Sequence, residues 1–78
     1  MEQITFKTLR IRAHSTQKEI AEHLGIKVGT YYKYEEFARL PSISRFKKLK
    51  EIYRCTDEEL TAAYLFHKTN MILRHLNK

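Results

Sequence analysis

The chain is poor in the residues that build disulfides, turns and membrane spans: one cysteine, one proline and two glycines among 78 residues. A lone thiol, Cys55, excludes an internal disulfide and does not complete a structural zinc site. It suits a reducing compartment and reads as an inert, half-buried side chain rather than a nucleophile. So little glycine and proline leaves few places for long loops. The longest uncharged apolar stretch, LTAAYLF, is far short of the ~20 residues a spanning helix needs. The leading MEQITFKTLRIR has no signal-peptide run, so a soluble, cytoplasmic protein is expected. Catalytic signatures are missing as well. The carboxylates fall in helix caps or on solvent faces, and no nucleophile has a base at a recognisable spacing. His14, His23, His67 and His75 are not spaced as helical metal ligands, so neither enzyme activity nor a metal or cofactor is expected. A chain of this length has surface for one core, giving a single domain over 1–78 whose stability is marginal for its size.

What is present is positive charge, unevenly placed. The net charge is +6, from 15 Lys and Arg against 9 Asp and Glu. Residues 55–78 carry Lys68, Arg74 and Lys78 against Asp57, Glu58 and Glu59, so this part is neutral and the whole excess lies in 1–54. A basic front points to a polyanion as partner. Charge alone equally fits a surface that only keeps a small protein soluble.

Apolar residues recur every three or four positions, which predicts an all-α fold. Phe6, Leu9 and Ala13 form a stripe that predicts a first helix near 3–13. Thr16 with Glu19 is a capping-box pair opening a second helix over 17–24, which buries Ile20, Ala21 and Leu24. Gly25 ends it, because glycine takes a left-handed conformation at little cost. A third helix follows from Lys27 to about Glu36 despite Gly29. Pro41 sets a break, and Ser42 or Ser44 is positioned to cap a fourth helix with Ile43, Phe46, Leu49 and Ile52 on one side. Thr56 and Glu59 form a second box that opens a fifth helix reaching about Leu76.

Within the third helix, Tyr31 and Tyr34 share a face that must cover Ile20 and Leu24, so both belong to the core. Val28, Gly29, Tyr32 and Lys33 occupy the opposite arc, since 28 to 32 and 29 to 33 are each one turn.

A capped helix, a glycine turn and a basic helix have the outline of a helix-turn-helix. "LR" at 9–10, "TQKEIAEHLGI" at 16–26, "TYYKYE" at 30–35, "LPSI" at 40–43, and Leu49 with Ile52 resemble the Cro and phage-repressor, or Xre-type, family over about residues 4–60. The resemblance implies a five-helix lambda-repressor-like domain with an extended C-terminal helix. It further implies a sequence-specific double-stranded DNA-binding transcriptional regulator, a repressor, whose helix over 27–36 enters the major groove. Small stand-alone members of the family resemble regulators of phages or mobile elements.

The family's base-reading positions fall on Lys27, Val28, Gly29, Tyr32 and Lys33. Lys33 suits guanine O6 and N7, and Val28 suits a thymine methyl. Gly29 reads nothing through a side chain and lets the backbone come close. Tyr32 offers a hydroxyl to a phosphate or a ring to a sugar. The plainer alternative is that Lys27 and Lys33 are solvated charges and Tyr32 an exposed aromatic. The family places a phosphate clamp at Thr16, Gln17 and Lys18, while Arg39, Ser42, Ser44 and Arg45 flank the start of the fourth helix on the other side of the same groove. Lys47, Lys48 and Lys50 share the fourth helix with its apolar side, and at least Lys50 reads as a solvated face. Arg10, which charge alone would assign to DNA, is paired in the family with the glutamate at the end of the recognition helix, here Glu35, as a structural ion pair.

Three positions depart from the family pattern. Lys27 stands where a small cap is usual, Ser15 where a hydrophobic residue is, and Phe37 where glycine follows the recognition helix. Bulky residues rarely accept positive φ, so the path of 36–40 is left open. Glu36 would repel phosphates unless it turns toward Arg39.

Toward the C-terminus, Leu60, Ala63 and Tyr64 finish the core. Leu65, Phe66, Ile72, Leu73 and Leu76 are more apolar surface than one small domain needs. They suggest a homodimer holding two recognition helices ~34 Å apart over a palindromic operator. A helix folded back on its own core is the other reading. A rival function uses the same fold as a protein-interaction module, an antitoxin or antirepressor acting through the C-terminal helix on a protein partner.

Overall fold

The computed structural model describes residues 3–76, which form five α-helices and no strand among the described residues. They are α1 (Phe6–Arg12), α2 (Gln17–Leu24), α3 (Val28–Glu35), α4 (Phe46–Tyr53) and α5 (Asp57–Leu76), with a 3-10 turn at Ile43–Arg45 before α4.

The starts of α1, α2 and α5 follow local hydroxyl chemistry. At α1, Thr8 N–H donates to Thr5 Oγ1 at 3.1 Å and Thr5 N–H to Thr8 Oγ1 at 2.9 Å, so the helix begins at Phe6 rather than near residue 3. At α2, Glu19 N–H donates to Thr16 Oγ1 at 3.1 Å and Thr16 N–H to Glu19 Oε1 at 2.9 Å. Thr56 and Glu59 repeat the arrangement at α5. Gly25 closes α2 at φ 71°, and the Ile26 amide reaches back to the Ala21 carbonyl.

The fourth helix departs from the expected start. Ser42 and Ser44 turn their hydroxyls to each other at 2.8 Å, and neither caps. Ile43 is 76% exposed, because Pro41 rather than Ile43 fills the core at this corner. Phe46 and Ile52 pack against the edge of the core, and Leu49 is fully buried.

The core joins Phe6 and Leu9 of α1, Ile20, Ala21 and Leu24 of α2, Tyr31 and Tyr34 of α3, Leu49 and Tyr53 of α4, and Leu60 and Ala63 of α5. Tyr31 and Tyr53 bring their hydroxyls within 2.6 Å of each other, so these buried phenols satisfy one another. Burial pushes both well above the ordinary phenol range, which keeps them neutral donors at any physiological pH. Cys55 is buried, and burial raises its thiol pKa, which suits an inert side chain. Lys50 does not stand alone in solvent but pairs with Asp57 at 2.8 Å, tying the end of α4 to the start of α5.

Phe37 takes φ 58°. The expectation that a bulky residue avoids this region fails because the ring has a seat. It packs edge-on against Phe66 at 5.7 Å and against the His67 ring at 5.2 Å, offsetting a backbone cost of ~1–2 kcal/mol. Phe66 is therefore half-buried by an intramolecular contact, which removes part of it from the apolar surface expected of α5.

Candidate nucleic-acid interface

The third helix has two faces with different fates. Tyr31 and Tyr34 are 0% and 3% exposed, while Val28 and Tyr32 are 48% and 49% exposed and Gly29 and Lys33 also face solvent. Lys27 is the N-cap residue and donates no side-chain cap, so the first amides of α3 stay open to an outside acceptor. A Cβ built on Gly29 meets nothing within 4 Å. No internal neighbour requires glycine there.

The end of α3 is anchored from two sides. Arg10 Nε donates to Glu35 Oε2 at 2.6 Å and Arg10 Nη2 to Glu35 Oε1 at 3.2 Å, with Arg10 and Glu35 only 15% and 3% exposed. The bond to Glu35 raises the guanidinium pKa, so Arg10 keeps its charge. Arg10 Nη1 also holds the Ser15 carbonyl at 3.1 Å, fastening the turn before α2. Each of the three nitrogens of this side chain thus makes a bond inside the protein.

Gln17, assigned to the phosphate clamp, sends its Nε2 to Glu35 Oε1 at 3.0 Å. Its carboxamide therefore bridges the start of α2 to the end of α3, leaving its backbone amide as the group that faces outward at the helix N-terminus. Thr16 and Lys18 are exposed beside it. Because Thr16 Oγ1 accepts from Glu19 N–H, its own hydrogen remains available to an external oxygen.

An open depression of about 550 Å³ lies between these elements, lined among others by Lys7, Gln17, Lys18, Val28 and Tyr32. Lys7 was missed by the sequence reading. It lies three residues before Arg10 on α1, a spacing that puts both on one side of the helix, and that spacing was the available signal. Glu36 also lines this depression and does not pair with Arg39 among the described residues. It turns instead toward Tyr32, and its carboxylate, as acceptor for the phenol O–H, raises the Tyr32 phenol pKa.

On the other flank, the Arg39 side chain, Ser42 and Ser44 are exposed. Arg45 is half-buried and donates Nη1 to the Leu24 carbonyl at 3.3 Å, so its charge closes the C-terminus of α2 as well as adding to the basic surface. Another ion pair escaped the sequence reading: Arg12 donates to both Glu59 oxygens at 2.5 and 3.0 Å and joins α1 to the capping box of α5.

The family model described as helix-turn-helix, of the Cro/C1 or Xre type, matches residues 6–60, most of the chain. The chain belongs to this family. Its fold is the lambda-repressor-like five-helix arrangement, and it is a DNA-binding helix-turn-helix regulator acting on double-stranded DNA. No curated protein and no solved structure gives a match. In this helix-turn-helix protein, α2 and α3 are the motif's two helices, Gly25 is its turn, and α5 runs on beyond the matched segment. No helix among the described residues is long and apolar enough to cross a membrane.

Proposed function

We propose that the protein is a sequence-specific transcriptional repressor of the cytoplasm that inserts α3 into the major groove. The observation that carries this reading is the division of α3 into a buried tyrosine face and an exposed Val28, Gly29, Tyr32 and Lys33 face. Lys33 donates to guanine O6 or N7, Val28 sits on a thymine methyl, and the bare Gly29 backbone approaches the DNA. Phosphates are held by the Thr16 hydroxyl, the Gln17 and Lys18 backbone amides and the Lys18 side chain, with Lys7 beside them, and by Arg39, Ser42, Ser44 and Arg45 across the groove.

The protein acts as a homodimer. Leu65, Ile72, Leu73 and Leu76 are 62%, 53%, 50% and 74% exposed on α5. Leu65, Thr69, Ile72 and Leu76 follow a spacing of four, three and four, the seam of a helix pair. That exposed seam also favours a second reading, a protein-interaction module of antitoxin or antirepressor type, whose DNA binding would show little sequence preference and collapse with salt.

Selection from a random duplex library, run in parallel with Lys33→Ala, tests the proposal. The wild type should recover a palindrome with half-sites one helical turn apart, and Lys33→Ala should lose ~5- to 100-fold preference at one symmetric pair of positions. An unchanged preference in Lys33→Ala would remove α3 as the reader. A lone half-site would remove the dimer, and no enriched sequence would favour the interaction module.

A further inference from the structure

The segment from Glu36 to Ser42 leaves α3 without a glycine and without a helix cap from its own side chains. Its carbonyls are instead met by three side chains of α5. Arg74 Nη1 donates to Glu36 O at 2.9 Å, His67 Nε2 to Arg39 O at 2.6 Å, and the Tyr64 hydroxyl to Ser42 O at 3.1 Å. The middle bond is the buried one. His67 is 1% exposed, with its ring 4.9 Å from that of Phe6 and 5.2 Å from that of Phe37.

A carbonyl partner requires a hydrogen on Nε2, so the neutral ring carries its lone pair on Nδ1. Nδ1 is buried and has no hydrogen-bond partner among the described residues. An unpaired lone pair in an apolar cage is tolerable. A second N–H there, carrying a positive charge, is not.

The charged and titratable groups on the surrounding elements offer that proton nothing. Lys7 on α1 is exposed, as are Glu36 and Arg39 on the loop and Lys68 and Arg74 on α5. The Tyr53 and Tyr64 phenols on α4 and α5 are already bonded to Tyr31 and to the Ser42 carbonyl. Two influences act on the imidazole, desolvation and the bond to Arg39 O, in opposite directions. Desolvation is the larger, and the ring holds its extra proton less readily than a free histidine.

We infer that His67 is a positioning residue for DNA binding: neutral, it pins the 36–42 segment that presents Arg39 and Ser42 to the phosphates, and on protonation it must leave its cage and release them. This rests on the DNA-contact reading above. The sign follows from linkage. A group whose folded pKa is depressed contributes its full effect above the ordinary imidazole value of ~6.5 and loses it as pH falls.

The test compares wild type with His67→Gln, whose amide supplies a donor that does not titrate, and with His67→Leu, which supplies none. Amide hydrogen exchange in the free protein reads the loop directly, because Ala38 and Arg39 N–H both bond to Lys33 O. Between pH 7.5 and 5.5 the wild-type protection factors of these two amides should fall up to ~10-fold relative to Ile20 and Leu49, and those of His67→Gln should not. Affinity for the selected palindrome, at fixed ionic strength, should weaken with falling pH more in wild type than in His67→Gln. His14, His23 and His75 are common to both proteins and cancel in that ratio. His67→Leu should show the released loop and weaker binding at both pH values.

Equal pH responses of the loop amides in wild type and His67→Gln would overturn the inference. So would a loop that responds while the affinity ratio stays constant, or a His67→Leu protein with wild-type protection and affinity. If neither wild type nor His67→Gln bound DNA at pH 7.5, the DNA reading would fall and the inference with it. That result is told apart from a silent loop because exchange is read without DNA.

Discussion

Gly29→Ala separates folding from recognition, because the two respond in opposite directions. Gly29 is the second residue of α3, its φ is negative, and a methyl placed on it touches nothing within 4 Å. Folding therefore gains the helix propensity of alanine over glycine with no steric debit, roughly 0.5–1 kcal/mol. For a domain of this size that raises Tm by about 2–8 °C. On the proposed docking, the same methyl stands where the bare backbone approaches the DNA. Overpacking a closed contact costs ~1–3 kcal/mol, which converts to a ~5- to 150-fold weaker Kd. Thermal unfolding of the free protein and fluorescence anisotropy with the selected duplex measure the two effects. A variant that is more stable and binds as tightly as wild type would refute the close approach, because nothing would then meet the helix at Gly29. A variant that is less stable would refute the internal argument, because it would reveal a contact that the open surface does not show.

Arg10→Met should destabilise by ~3 kcal/mol or more, because it strips the guanidinium from a Glu35 side chain that is only 3% exposed, with Gln17 as its remaining side-chain donor. That is a large share of the ~4–12 kcal/mol expected for a chain of 78 residues, and chemical denaturation reads it. Arg10→Met combined with Glu35→Met should recover most of the loss, whereas a DNA-contact role for Arg10 would leave stability unchanged in the single variant. Acid unfolding should depend on Glu59, whose carboxyl is held down to about 2 by Arg12 first and by the Thr56 amide next. Its contribution is complete above the ordinary carboxylate value of ~4.3 and is lost as pH falls from there to about 2, so Glu59→Gln should flatten that part of the stability profile.

The parts of this protein that were legible in its sequence are those built by neighbours. Thr16 and Glu19, or Thr56 and Glu59, make their bonds within one turn, so two letters three apart specify a helix start. Gly25 ends α2 through its own backbone freedom. The division of α3 follows from helical geometry alone: once Tyr31 and Tyr34 are buried, Val28, Tyr32 and Lys33 must face outward. The Arg10 and Glu35 partnership spans 25 residues and came from the family pattern, not from spacing.

Where partners lie far apart in the chain, the pattern misleads. Gln17 reads as a phosphate ligand, yet its carboxamide is spent on Glu35, 18 residues away. Arg45 reads as surface charge, yet it closes α2 through Leu24 O. Ile43 reads as core until Pro41 takes the space. The path from Glu36 to Ser42 depends on three α5 side chains lying 22 to 38 residues further on, and on an aromatic seat that lets Phe37 adopt φ 58°.

The sequence by itself determined the starts of α2 and α5, the turn at Gly25 and the outward face of α3, because hydrogen bonds and periodicity within four residues suffice for these. Only the tertiary structure decided which polar groups are consumed inside the protein and which remain for DNA, because a donor's partner is whatever the packed chain brings within 3 Å of it.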